Sequence, residues 1–201
     1  MTERFPLDPA SVAVAPCASL PDAMGAAGRR LFVEVGFGKD VRLLRAAAAD
    51  PEGLFLGVEI SRKKFDSFCR KVARAGLANV RAFGGDVRRV LEEMLPAGSV
   101  SGFTILFPDP WPKRRQKKNR WIQPATAARL HRALVPGGSV EIATDDGDYR
   151  EQIQRCFLDA GLLLESERGE LAESERTVFT ARFERRGVPF TVQRWRRAVP
   201  A

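Results

Sequence analysis

Apolar residues along this chain fall into short unbroken runs, and the stretches between them carry a helical period. Leu31–Val35 (LFVEV), residues 54–60 (LFLGVEI), 80–83, 103–107 and 139–143 (SVEIA) are of strand length. Continuous apolar character over that length marks strands covered on both faces. Helices are predicted after Asp40 (VRLLRAAAAD), from Ser61 as N-cap to Ala75 with a stop at Gly76, over 87–94, over 124–134 with a stop at PGG, and over 149–160. Strands alternating with helices predict an α/β fold with a doubly wound, mostly parallel sheet whose ligands bind beyond the carboxyl ends of the strands. The pattern changes near the C terminus. Residues 176–184 and 188–195 alternate and are joined by Arg185, Arg186 and Gly187, which predicts a hairpin and an antiparallel last strand. Residues 1–28, rich in Ala and Pro without a clear period, are expected to form an extension packed partly on a single domain spanning 29–201.

Composition adds limits. Three scattered cysteines, Cys17, Cys69 and Cys156, support neither a disulfide framework nor a zinc motif, so a reducing cytoplasm and no metal are expected. No run is long and apolar enough to span a bilayer, and the first residues lack a leader pattern. Of the net charge of +8, residues 113–120 contribute +6 and residues 182–197 contribute +5, so the remainder is mildly acidic. Two basic blocks on an acidic background point to a localised anionic partner, nucleic acid before membrane, because neither block has an amphipathic apolar face.

The densest chemistry lies in GFTILFPDPWPKRRQKKNRWIQ, residues 102–123. A buried strand runs into Asp109, which stands between Pro108 and Pro110, with Pro112 after Trp111. Each proline fixes its own φ and biases its predecessor toward extended backbone, so the carboxylate and the indole are expected to be narrowly positioned. The basic arm follows at once, and Trp111 and Trp121 offer rings either for packing or for stacking on a base. Gly36 and Gly38, after the first strand, form a turn that lets the backbone approach a ligand, but GFGKDV lacks the third glycine of a dinucleotide fingerprint. Glu59, about 20 residues on at the end of the second strand, is placed to accept from two ribose hydroxyls. Asp86 reads either as a helix N-cap or as an acceptor for an exocyclic amine. Asp145 and Asp146 end the fifth strand, and the lone His131 has no ligand partners nearby in sequence.

Taken together and in order, EVGFGKD, FLGVEI, FPDPWPKRRQKKNRWIQP, EIATDD and FTARFERRG resemble the tRNA (guanine-N7)-methyltransferase family. The resemblance covers nearly everything after residue 30 and implies a class I, Rossmann-like methyltransferase: seven strands with an antiparallel last strand, and S-adenosylmethionine as cofactor. By resemblance Glu34, Glu59, Asp86 and Asp109 contact the cofactor beside the Gly36 and Gly38 turn, Asp109 is catalytic, and Lys113, Asp145 and Glu184 face the tRNA, where Thr180 is the candidate to replace a hydroxyl missing at Ala181. Three positions depart from the family pattern. Asp40 replaces a third alternate glycine, Gln116, Lys117 and Lys118 replace a histidine and arginines, and Ala181 replaces a threonine, with Thr180 one position away. The implied protein is a monomer or homodimer. Two other functions fit parts of the chain: a non-catalytic RNA-binding module on the same fold, and a small-molecule methyltransferase, which leaves the basic arm without a role.

Overall fold

The computed structural model describes residues 7–171 and 175–200. They form two compact units, residues 1–96 and 97–201. The first holds three parallel strands, β1 (Leu31–Val35), β2 (Leu54–Glu59) and β3 (Val80–Gly84), in the order β3-β2-β1, with Val33 opposite Leu56 and Gly57 opposite Ala82. All three therefore point their carboxyl ends the same way, toward the glycine turn, Glu59 and Asp86. Short helices α1 (Pro9–Val12) and α2 (Leu20–Ala23) belong to the N-terminal extension. Within the unit Leu7 donates to the Ala73 carbonyl, Val14 to that of Ala82, and Val12 and Leu20 are fully buried. Helix α3 (Arg42–Ala49), α4 (Arg62–Ala75) and α5 (Val87–Arg89), which runs on into a π-helical turn at Val90–Met94, complete the unit. Helix α4 ends where the sequence stops it, with Gly76 at φ 59°.

Phe37, in the middle of the glycine turn, points into the core and stacks on Phe68 with centroids 4.0 Å apart. Gly57 on β2 makes room for it, since a Cβ there would stand 2.6 Å from Phe37 Cδ1. Gly57→Ala is accordingly expected to cost about 1 to 3 kcal/mol through overpacking. Chemical denaturation checks this, and wild-type stability in Gly57→Ala would mean that Phe37 does not anchor the turn.

The second unit holds β4 (Val100–Leu106), α6 (Pro124–Ala133), β5 (Leu134–Thr144), α7 (Gly147–Asp159), β6 (Leu162–Arg168), α8 (Val178–Arg186) and β7 (Thr191–Arg197). Its strand order is β4-β5-β7-β6. Strands β4 and β5 are parallel, whereas β7 runs antiparallel to both β5 and β6, so the last strand is reversed as predicted. Trp195 on β7 is fully buried against the edge of Phe157 on α7.

The predicted hairpin is corrected in two ways. Residues 178–186 form helix α8 and not a strand: Thr177 and Thr180 make a reciprocal capping box, and Gly187 ends the helix at φ 61°. These are helix start and stop signals, and they override the alternating pattern of a short segment. The sixth strand is instead β6, whose side chains after Leu162 are mostly exposed. It carries charges of the kind that protect an edge; Glu165, for instance, pairs with both Arg194 and Arg196. Among the described residues no helix is long and apolar enough to cross a membrane.

Candidate functional site

In the first unit the sequence-predicted residues lie at or just beyond the carboxyl ends of β1, β2 and β3. Gly36 and Gly38 take φ of 70° and 60°, a region that favours glycine, and an added Cβ on Gly36 would meet nothing within 4 Å. The turn is tied to the end of β2 because Glu59, 5% exposed, accepts from Gly38 N–H at 3.0 Å through Oε2 and from Ser61 N–H at 2.8 Å through Oε1. A carboxylate has about four lone-pair sites, so two remain for a diol. Glu34, on β1, is buried and paired with Arg42 Nη1 at 3.2 Å. Burial raises its carboxyl above the ordinary range while the Arg42 guanidinium opposes the shift. Asp86 caps α5 by accepting from Arg88 N–H at 2.9 Å, and its carboxylate also pairs with the Arg88 side chain at 3.1 Å. Of these residues the structure brings Gly38 and Glu59 into direct contact.

In the second unit β4 delivers the chain to the proline loop. Asp109 is exposed and makes no hydrogen bond or ion pair among the described residues. Here the pre-proline expectation fails. Phe107, before Pro108, and Trp111, before Pro112, are not extended but have φ of 54° and 42°. Such backbone costs about 1 to 3 kcal/mol per residue and persists only where the surroundings impose it. Phe107 is imposed upon by Phe183 and Phe190, with ring centroids 5.0 and 5.4 Å away, and by its own N–H, which donates to the Ala143 carbonyl. At Trp111 the preceding carbonyl, that of Pro110, is held by Arg120 Nε at 2.7 Å.

The basic arm folds into a 3₁₀ helix, Arg114–Asn119. Its six cations are not equivalent. Arg120 is 2% exposed, and Lys117 is paired with Asp148 on α7 at 2.7 Å. Lys113, Arg114, Arg115 and Lys118 are exposed and have no ion-pair partner among the described residues. The hydrogen bonds from Lys117 and Arg120 hold the Asp148 carboxyl below the usual range. If the four outward cations grip phosphates, replacing them with glutamine should reduce the log–log salt slope of tRNA binding by about 0.7 to 0.9 for each phosphate no longer neutralised. An unchanged slope would make the arm a solvated surface.

The remaining substrate-side candidates are dispersed in character. Asp145 is exposed at the end of β5, beside Asp146, which caps α7 by accepting from Tyr149 N–H at 2.7 Å. Glu184 on α8 pairs with Arg176 at 3.3 Å. Thr180 is fully buried, its hydroxyl donating to the Thr177 carbonyl at 2.9 Å and accepting from Thr177 N–H at 2.8 Å, so that hydroxyl serves the helix cap. Much of the tail charge is structural too: Arg194 and Arg196 hold Glu165, and Arg197 donates to the His131 and Leu134 carbonyls at the end of α6.

A family model described as "Putative methyltransferase" matches residues 28–193. The tRNA (guanine-N(7)-)-methyltransferase of Nitrosococcus oceani is 39% identical over 169 residues, covering 84% of this chain and 72% of that protein. The chain belongs to the tRNA (guanine-N7)-methyltransferase family. A second member, from Paracidovorax citrulli, is 36% identical over 169 residues, 83% of this chain and 68% of its own. Among solved structures, the 16S rRNA methyltransferase KamB superposes with a TM-score of 0.68 at 16% identity, covering 88% of this chain and 92% of that one. A mutant 16S rRNA (adenine(1408)-N(1))-methyltransferase from Catenulisporales acidiphilia, solved with its cosubstrate SAM, gives 0.60 at 17% identity over 96% of this chain and 93% of the other. These likenesses establish the class I methyltransferase fold.

Within that family fold, three features escaped the sequence reading. Arg42 opens α3, where nothing in its spacing announces a partner for Glu34. Arg120 is hidden in a stretch of eight residues of which six are basic, although Tyr149, the chain's single tyrosine, gives its guanidinium a face at 4.7 Å. The left-handed backbone at Phe107 and Trp111 depends on tertiary contacts that no local rule carries.

Proposed function

We propose that the protein transfers a methyl group from S-adenosylmethionine to N7 of a guanine in tRNA, acting in the cytoplasm. The observation that carries this reading is relatedness: two proteins named for that activity are 39% and 36% identical to it over more than four fifths of its length. The residues of the first unit fit the cofactor. Glu59 keeps two lone-pair sites for the ribose hydroxyls, the glycine turn exposes backbone beside it, and Glu34 and Asp86 are the further acids assigned to it. When bound, the cofactor supplies an electrophilic methyl on a sulfonium.

Guanine N7 carries a free lone pair and no proton, so no general base is required at the nucleophile. What the chain must supply is alignment, which can lower a barrier by about 7 to 11 kcal/mol, together with charge stabilisation as the purine becomes cationic. Asp109, an exposed carboxylate without a partner among the described residues, is assigned to both. Lys113, Arg114, Arg115 and Lys118 are assigned to the RNA backbone, and Asp145 and Glu184 to the nucleotide. Incubating the protein with methyl-labelled S-adenosylmethionine and an unmodified tRNA transcript tests the reading. Label must appear in the RNA; tRNA binding without label would instead make the chain an RNA-binding module.

A further inference from the structure

Arg120 belongs by sequence to the basic arm, but its side chain turns inward. The guanidinium spans the proline loop and α7: Nε donates to the Pro110 carbonyl at 2.7 Å, Nη1 to Asp148 Oδ2 at 2.6 Å and to Gln152 Oε1 at 3.0 Å, and Nη2 reaches Asp146 Oδ1 at 3.5 Å. Its central carbon lies 4.7 Å from the Tyr149 ring centroid. The same helix binds the chain just beyond the arm, because Tyr149 Oη accepts from Ile122 N–H at 2.9 Å and Gln152 Nε2 donates to the Ile122 carbonyl at 2.8 Å. A buried arginine is costly unless its donors are used, and here they are used on two different elements at once.

Among the described residues, the bond from Arg120 to Pro110 is the only hydrogen bond made by residues 108–112. It falls on the peptide between Pro110 and Trp111, the residue held at φ 42°. We propose that Arg120 is a positioning residue that fixes the proline loop, and with it the Asp109 carboxylate, instead of contacting RNA. Proline rings restrict φ within the loop, but they leave ψ and the placement of the loop on α7 open. The planar fork of arginine closes that freedom, and a lysine, with one point charge, cannot reach both the carbonyl and the α7 acceptors in the same geometry. The proposal rests on the assignment of Asp109 to the reaction.

Arg120→Lys tests it, because the charge is kept and the fork is removed. Single-turnover methylation should fall by about 10- to 100-fold, the order of loss that a displacement near 1 Å produces. The dissociation constant for tRNA and its salt slope should stay at wild-type values. Labelling with 5-fluorotryptophan gives a readout independent of activity: the ¹⁹F resonance of Trp111 should shift and narrow, while that of buried Trp195 stays in place. An unchanged rate with an unchanged Trp111 resonance would overturn the proposal. So would a salt slope lowered by about 0.7 to 0.9 with weakened tRNA binding in Arg120→Gln, which removes the charge as well, because that would make Arg120 a phosphate ligand. If the wild type fails to methylate tRNA, the role of Asp109 falls, and the Trp111 resonance still decides whether Arg120 holds the loop. Should Arg120→Lys not fold, Asp148→Ala, at an exposed site, removes one anchor of the fork and should give the same changes with a rate loss of about 3- to 10-fold; wild-type behaviour there would count against the proposal.

Discussion

Asp109→Asn is expected to lower single-turnover methylation of tRNA by about 10²- to 10³-fold, the usual cost of removing one preorganised electrostatic interaction. The substitution keeps the volume of the side chain, the prolines on either side and the bond from Arg120 to the Pro110 carbonyl, so the fold and most of the tRNA affinity should survive. The loss should therefore appear in the rate of the bound complex and much less in the dissociation constant of the cofactor. Because N7 has no proton to give up, the wild-type rate should stay flat between about pH 6 and 8, whereas a general base would make it climb as the base ionises. A near-wild-type rate in Asp109→Asn would remove the assignment and move attention to Asp145 and Glu184.

The second large effect concerns Glu59. Hydrogen bonds to charged groups contribute about 1.5 to 3 kcal/mol each, so withdrawing the acceptor of two ribose hydroxyls in Glu59→Ala should weaken cofactor binding by roughly 10²-fold or more. Titration calorimetry with S-adenosylmethionine reads this directly. The same change strips the Gly38 and Ser61 N–H groups of their acceptor, so the variant should also be less stable. If Glu59→Ala binds the cofactor as tightly as the wild type, Glu59 serves only to join the turn to α4.

How much of this was legible in the sequence depended on how local the determining forces were. Strands β1, β2, β4 and the second half of β5 stood out as apolar runs because they are largely buried; β2 is buried at every position. Strand β6 gave no such signal, since an edge strand that exposes Leu163 and Leu164 and carries Glu165 and Glu167 has neither a continuous apolar run nor a clean alternation. Helix α8 was misread because Phe179 and Phe183 fit a period of two as well as the i, i+4 spacing they adopt, and the capping pair Thr177 and Thr180 was the better guide. The meeting of the glycine turn with Glu59 was legible because a strand followed by glycines, and an acid about 20 residues later, is a pattern with a geometric cause.

The proline loop shows the other limit. Three prolines led to the expectation of extended neighbours, but the direction of the chain at Phe107 and Trp111 is imposed by an aromatic cluster drawn from α8 and the segment after it, and by a guanidinium braced on α7. Arg120 and Asp148 are 28 residues apart in the chain. Charge counting alone therefore assigned Arg120 to the arm; in the tail, Arg194, Arg196 and Arg197 brace the sheet and the end of α6.

Methyl transfer to guanine N7 of tRNA is tested most directly by mapping the product. An unmodified tRNA transcript is incubated with the purified protein and S-adenosylmethionine, digested with nucleases and analysed by mass spectrometry, with mild alkali used to open the imidazolium ring that only N7 methylation creates. The expected result is a single guanosine that gains one methyl group and opens in alkali, and that gain should be absent or strongly reduced with Asp109→Asn. RNA that gains no mass, or a methyl group that sits on another atom or another base, would contradict it.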